Sequence, residues 1–251
     1  MHRFELVPIA NGEHITQVNY NSRHTCDELN EKIRKEGDMS ALSFGQQRDP
    51  CESFFKKVMS SFHTVTARDE RGISGVNIGV TVKANMPMPA KLTKGVASQQ
   101  DPKTSQASKI GNVWLKSDNA ALQEIDPTTL EPVTVAMHSK LHPELKGPFT
   151  GAHSRTDPVT GNWYNYNLEI GRQAVYRVFG VSATTGKPTI LATISGGEIK
   201  AAYLHSIMLT ERYVVICIFS AYYAKNGLKI LWAKNMLEAT EFNSRKKIPG
   251  L

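Results

Sequence analysis

The stretch GAHSRTDPVTGNWYNYNLE, Gly151 to Glu169, contains the two signals that decide the fold. Asp157 to Gly161 has the composition of a tight turn, because proline presets its backbone angle and glycine permits positive φ. Trp163 to Leu168 then alternates aromatic and polar side chains with the period of a β-strand. His153 stands just ahead of this turn, so it is a candidate for a functional side chain at the head of a strand.

Short apolar segments separated by turn signals continue on both sides of this stretch. The pattern predicts strands at 76–82, 112–116, 121–125, 163–168, 175–182, 189–194, 203–209 and 213–219, with a polar loop over 94–108. A turn every dozen or so residues is typical of an all-β fold. Asp-Pro-x-Thr turns begin at Asp101, Asp126 and Asp157, which hints at blade-like modules. The pattern alone leaves a sandwich, a barrel and a propeller open.

The sequence of the N-terminal third predicts a hairpin followed by short helices. Phe4–Ile9 and Ile15–Tyr20 read as paired strands, with Asn11-Gly12 as the hairpin signal between them. Thr25-Cys26-Asp27-Glu28 has the form of a capping box at the start of a first helix. Asp49-Pro50 begins a second, whose apolar face would run through Phe62.

Composition and charge restrict the classes of protein. The chain has 251 residues and a net charge of +7, and its lysines and arginines are dispersed. Without aromatic–basic interleaving, we expect no nucleic-acid partner, although the charge is compatible with peripheral contact with an anionic membrane. The apolar run Tyr213–Ala224 is too short for a bilayer span, and no secretory signal begins the chain. Three scattered cysteines without C-x-x-C favour a reducing, cytoplasmic location.

Histidine pairs are the only candidates for chemistry. Neither paired carboxylates, G-x-S-x-G, a P-loop nor G-x-G-x-x-G stands out. His138 and His142 are four apart, but Pro143 and the preceding strand pattern argue against the helix that would align them. His153 and His205 each lie in a strand-rich context beside a turn. They are 52 residues apart (153 to 205), as ligands from neighbouring modules would be.

The segments around these two histidines resemble the carotenoid cleavage oxygenases, in particular the fungal branch that acts on carotenoids. The specific strings are GAHSRTDPVTGNWYNYNLE and AAYLHSIMLTERYVVICIFSAYY. The likeness extends through HRFEL, TCDELNEKIRKEG, FGQQRDPCESFFKKVMSSF, EIDPTTLEPV and NGLKILWAKNMLEA, and so covers nearly the whole chain.

The resemblance implies a seven-bladed β-propeller in which four histidines hold Fe²⁺ on the axis. His153 would be the first ligand and His205 the second. Asp118 stands where the family has a glutamate that orients a ligand, and Ser154 follows His153 where many relatives have proline. The implied reaction uses O₂ to cleave a double bond of a carotenoid, such as torulene or β-carotene, or of a related stilbene, to carbonyl products.

The resemblance also implies that residues 1–251 form one partial propeller domain of three to four blades, truncated at both ends. The third and fourth histidine ligands have no counterpart in the chain. The main interpretation is therefore an iron-dependent carotenoid dioxygenase represented by an interior piece. The alternatives are a non-catalytic remnant of such an enzyme and, on charge alone, a basic β-domain that binds lipid or nucleic acid.

Overall fold

The computed structural model describes residues 1–9, 14–36, 53–55, 72–93, 110–233 and 235–243. Within these ranges the chain is mostly antiparallel β-sheet with few helices, which confirms the predicted fold class. The strands are β1 (His2–Pro8), β2 (Ile15–Ser22), β3 (Thr81–Ala84), β4 (Val113–Lys116), β5 (Ala121–Ile125), β6 (Pro132–Met137), β7 (Phe149–Thr150), β8 (Arg155–Thr156), β9 (Trp163–Glu169), β10 (Val175–Val181), β11 (Pro188–Ser195), β12 (Met208–Leu209), β13 (Val214–Val215), β14 (Ala221–Tyr223) and β15 (Thr240–Phe242). The helices are α1 (Asp27–Glu36), α2 (His138–Leu141) and a kinked 3-10 segment, Ala224–Leu231.

The first sheet has four strands in the order β3-β4-β5-β6, each paired with its neighbour in the chain. The predicted turn between β5 and β6 is present: the Asp126 carboxylate accepts hydrogen bonds from the amides of Thr128 and Thr129, at 2.8 and 2.7 Å. The strand predicted over 76–82 is shorter and later than expected, since β3 spans only Thr81–Ala84. Val76 and Ile78 are buried all the same, because they pack against one face of this sheet.

The second sheet has the order β11-β10-β9-β7, with β8 also paired to β9. Its central strand β9 is the alternating segment that the sequence predicted, and Gly161 in the preceding turn has a φ of 73°. Period-two alternation sends Trp163 to one face and Tyr166 to the other, and both side chains are fully buried. The strand is therefore covered on both faces.

The two sheets pack face to face through one apolar layer. Trp114 and Leu122 of the first sheet meet Trp163 and Phe179 of the second. The opposite face of the second sheet packs against residues 201–207 and the segments that follow. Stacked sheets of sequential antiparallel strands occur in β-propellers as neighbouring blades and also in β-sandwiches. The described residues contain these two sheets and three two-stranded ladders.

The N-terminal prediction is confirmed in part. β1 and β2 form the expected antiparallel hairpin, in which Phe4 is paired with Tyr20. Helix α1 is present, but the Glu28 amide donates to Ser74 Oγ at 3.4 Å, where a capping box would have used Thr25. The Asn11-Gly12 turn, most of the second helix, the polar loop and the Asp101 turn lie outside the described residues.

The last two predicted strands are shorter than expected. Only Met208–Leu209 and Val214–Val215 form a ladder, where the apolar pattern predicted strands over 203–209 and 213–219. Residues ahead of β12 pair singly instead: Ala202 bridges Tyr222, and Ser206 bridges His153. No helix of the described part of the chain is long and apolar enough to cross a membrane.

The expectation that residues 138–142 are not helical was wrong. His138–Leu141 form one helical turn, and the His142 amide donates to the His138 carbonyl oxygen at 3.1 Å. The turn points the two side chains to different surroundings. His138 is fully buried, with its ring edge-on to Phe179 at a centroid distance of 5.2 Å, and neither ring nitrogen has a hydrogen-bond partner among the described residues.

Burial lowers the pKa of His138 to about 3, with a smaller contribution from the Lys116 charge. The unfolded chain binds this proton near pH 6.5 and the folded chain does not, so folding stability falls as the pH drops from 6.5 towards 3. We expect His138→Leu to remove this loss, which amounts to at most about 1.4 kcal/mol per pH unit. Urea unfolding at pH 7, 6, 5 and 4 measures it, and His142→Leu serves as the control. Parallel stability curves for wild type and His138→Leu would contradict the assignment.

A second prediction concerns Gly147, just ahead of β7. A Cβ there would lie 2.2 Å from the Leu168 carbonyl oxygen, whereas a Cβ on Gly171 would meet nothing within 4 Å. Backbone cannot move aside cheaply, so we expect Gly147→Ala to lower the free energy of unfolding by about 1–3 kcal/mol. Gly171→Ala is the matched control and should change it by less than about 1 kcal/mol. Equal unfolding midpoints for the two variants would disprove the close approach.

Candidate metal centre

Asp118 connects the first sheet to the segment that carries His153. It follows β4 by two residues, and its backbone carbonyl accepts from the Thr150 amide at 2.8 Å. Its side-chain Oδ1 accepts from the Ala152 amide at 3.2 Å. These two bonds fix the chain on both sides of Gly151 and bring His153 to the edge of the turn that holds Asp118.

Backbone pairing places His153 beside His205. The His153 amide donates to the His205 carbonyl oxygen at 3.0 Å, and the Ile207 amide donates to the His153 carbonyl oxygen at 3.4 Å. This isolated parallel bridge aligns two segments that are far apart in sequence. As a result the two imidazole rings lie edge to face, with centroids 4.6 Å apart and planes at 78°.

Hydrogen bonds orient the His205 ring directly. Its Nδ1 lies 2.9 Å from each carboxylate oxygen of Asp118 and 3.0 Å from the Tyr203 hydroxyl. A carboxylate can only accept, so Nδ1 carries a proton, and in the neutral form of the ring Nε2 keeps its lone pair. This is the arrangement in which a carboxylate prepares a histidine to bind a metal through the other nitrogen. Although aspartate is one methylene shorter than the glutamate of the family, the Asp118 carboxylate reaches the His205 ring.

Tyr203 is a site residue that the sequence reasoning missed. Its hydroxyl donates to Asp118 Oδ2 at 2.9 Å. Burial, and then the nearby Asp118 carboxylate, raise the pKa of Tyr203, so the phenol stays protonated and remains a donor. The spacing of the two residues could have revealed Tyr203 in the sequence. Tyr203 precedes His205 by two residues, which puts both side chains on one face of an extended segment.

Close packing supports both histidine segments. A Cβ on Gly151 would lie 3.1 Å from Asn165 Oδ1 and 3.2 Å from the Tyr166 ring, so glycine allows strand β9 to approach. Asn165 Nδ2 donates to the Gly151 carbonyl oxygen at 2.9 Å, and the Tyr166 hydroxyl donates to the Leu204 carbonyl oxygen. Strand β9 therefore holds the residues just ahead of both histidines.

The donor set fits a transition metal in part. Two imidazoles with a carboxylate behind one of them are ligands that suit iron, zinc or copper when the rings are neutral. Within the described residues, no group of three or more His, Cys, Asp and Glu side chains could hold an ion. His2 lies 2.8 Å from the Tyr20 hydroxyl, and His24 lies 3.5 Å from Asp27, both remote in sequence from this pair. His63 falls outside the described part of the chain.

Comparison with known proteins gives strong sequence matches. The family model for RPE65, retinal pigment epithelial membrane protein, matches residues 1–249. A carotenoid dioxygenase of Neurospora crassa is 36% identical over 248 residues, which cover 95% of this chain and 40% of that protein. A torulene dioxygenase of Fusarium fujikuroi is 36% identical over 252 residues, which cover 100% of this chain and 42% of that protein. The chain thus spans about two-fifths of the length of these relatives.

Solved structures share the fold at low sequence identity. A variant of the Synechocystis apocarotenoid oxygenase superposes with a TM-score of 0.58 at 15% identity, covering 94% of this chain and 41% of that one. The cobalt-substituted form of the same oxygenase gives a TM-score of 0.57 at 13% identity, covering 96% of this chain and 42% of that one. By its match over 249 residues and its 36% identity to two fungal dioxygenases, the chain belongs to the RPE65/carotenoid oxygenase family.

Proposed function

We propose that the chain is part of a non-haem iron(II) dioxygenase that cleaves a carotenoid double bond to two carbonyl products. The observation that carries the proposal is the contact of the His153 and His205 rings, with Asp118 holding Nδ1 of His205. The family match and the fungal relatives supply the substrate class. Residues 1–251 would form one part of the enzyme's propeller domain.

In this proposal His153 and His205 are two of four histidine ligands, and the chain has no counterpart of the other two. Iron(II) held by neutral imidazoles would retain its positive charge and supply a site for O₂. The residues of this chain set the geometry around that site. Asp118 and Tyr203 fix the tautomer and rotation of His205, and the bridge to residue 206 fixes the spacing of the two rings.

The partners proposed are O₂ and an apolar polyene. The relatives are called carotenoid and torulene dioxygenases, which supports a carotenoid over a stilbene. The net charge of +7 supports peripheral contact with an anionic membrane, from which such a substrate could be taken. Three scattered cysteines without a C-x-x-C support a reducing cytoplasmic compartment.

The direct experiment uses the natural polypeptide that contains this chain, purified without oxygen and loaded with Fe²⁺. Incubation with torulene or β-carotene under ¹⁸O₂ should give two shorter carbonyl products that carry the label. A protein that retains iron but leaves both substrates intact would support the non-catalytic remnant instead. Binding of DNA that weakens as salt rises would favour the third interpretation, a basic nucleic-acid-binding domain.

His153→Ala and His205→Ala should each abolish iron retention and cleavage in that polypeptide, because each removes one ligand nitrogen from the metal. The measurements are iron content after gel filtration and product formation, with circular dichroism to show that the fold survives. His142→Ala is the matched control, since among the described residues its ring accepts only from the Glu144 amide, at 3.3 Å. A histidine variant that keeps both iron and activity would remove that residue from the ligand set.

Asp118→Asn should weaken metal binding by about 10- to 100-fold, because an amide cannot hold the His205 Nδ1–H as a carboxylate does. The binding isotherm of Co²⁺, used as a probe for iron, measures the change. Asp157→Asn is the control, because that carboxylate accepts from Val159 and Thr160 in its own turn and from no other group among the described residues. Equal Co²⁺ affinity in the two variants would show that Asp118 does not act on the metal site.

A further inference from the structure

Lys116 is a buried charged side chain in the layer between the two sheets, where Glu124 and His138 are also buried. It ends β4 and is only 3% exposed, on the sheet face that also carries Trp114 and Leu122 of the layer between the two sheets. Its Nζ donates to Ser154 Oγ. The same oxygen accepts from Trp163 Nε1 at 2.6 Å. Ser154, the residue directly after His153, is therefore held from two sides.

Fold stability does not account for this lysine. Buried ammonium groups are normally paired with a carboxylate, because removing the charge from water is costly. Here burial, together with the neighbouring cations Lys83 and Arg155, lowers the pKa of Lys116 to about 8. At pH 7 the ammonium form still predominates, and its hydrogen bond goes to a neutral hydroxyl. Replacement of such a group by an apolar side chain often leaves a protein equally or more stable.

The two histidines differ in how their rings are oriented. Asp118 and Tyr203 hold the His205 ring by hydrogen bonds. No described side chain makes a hydrogen bond to the His153 ring, so its direction depends on its contact with the His205 ring and on the backbone that it shares with Ser154. We infer that Lys116 is a positioning residue for His153, acting with Trp163 through the Ser154 hydroxyl to aim the imidazole at the site shared with His205.

This inference rests on the proposed metal site. It also gives β4 a double role, because the strand end that carries Lys116 continues directly into Asp118. One short segment would then position both histidines: His205 through the Asp118 carboxylate, and His153 through the hydroxyl of Ser154.

Four variants of the natural polypeptide that contains this chain test whether Lys116 and Ser154 position His153. Lys116→Met removes the donor with little loss of volume, and Ser154→Ala removes the acceptor. Lys83→Met is the matched control, because it deletes a nearby positive charge on the neighbouring strand β3 without a bond to Ser154. Ser154→Thr keeps the hydroxyl and should restore wild-type behaviour. The readouts are ¹H–¹⁵N imidazole spectra with the His153–His205 ring NOE, the thermal unfolding midpoint, and Co²⁺ affinity.

In Lys116→Met and Ser154→Ala we expect shifted or broadened His153 ring signals, a weaker NOE to His205 and about 10- to 100-fold weaker Co²⁺ binding. The unfolding midpoint of Lys116→Met should be equal to or above that of wild type, an outcome that a purely structural role would not give. His153 signals in both variants that match those of Lys83→Met would overturn the inference. If wild type and His153→Ala bind Co²⁺ equally, the metal proposal fails. The ring spectra recorded without metal still show whether Lys116 and Ser154 position His153.

Discussion

The hydrogen bonds of Asp118 are the constraint on which the candidate site depends. Its backbone carbonyl and one carboxylate oxygen hold the segment ahead of His153, and both carboxylate oxygens lie against Nδ1 of His205. A single residue in the turn after β4 thus connects the two histidine segments to the first sheet. The bonds to the carboxylate are partly shielded from water, and a hydrogen bond to a carboxylate is stronger than one between neutral groups.

The elements that the sequence predicted well are those defined by local signals. Alternation in β9 and the Asp-Pro turns at 126 and 157 depend on neighbouring residues, and the structure shows each of them. Predictions failed where burial came from other segments. Val76 and Ile78 are apolar because they cover the first sheet, so strand-like composition there did not indicate a strand. The helical turn at His138 formed despite the nearby proline, which lies beyond its end.

The site itself was predictable only through resemblance. Nothing local in the sequence shows that residues 153 and 205 would be neighbours, because their bridge depends on the docking of separate segments. Tyr203 could have been found from its spacing to His205, whereas Lys116 could not. A lysine at the end of an apolar strand usually extends into water, and its burial follows from the second sheet packing over it.

The bridge between His153 and Ser206 has a consequence for assembly. The residues around it come from three regions of the chain: the turn after β4, the segment ahead of β8 and the segment ahead of β12. Contacts so distant in sequence are expected to form late in folding, because the entropic cost of closing the long loops between those regions must first be met. An ion that required both rings would bind only the docked form and would favour it by mass action. Metal binding would then select for correct assembly, because only molecules in which these three regions have docked would bind the ion.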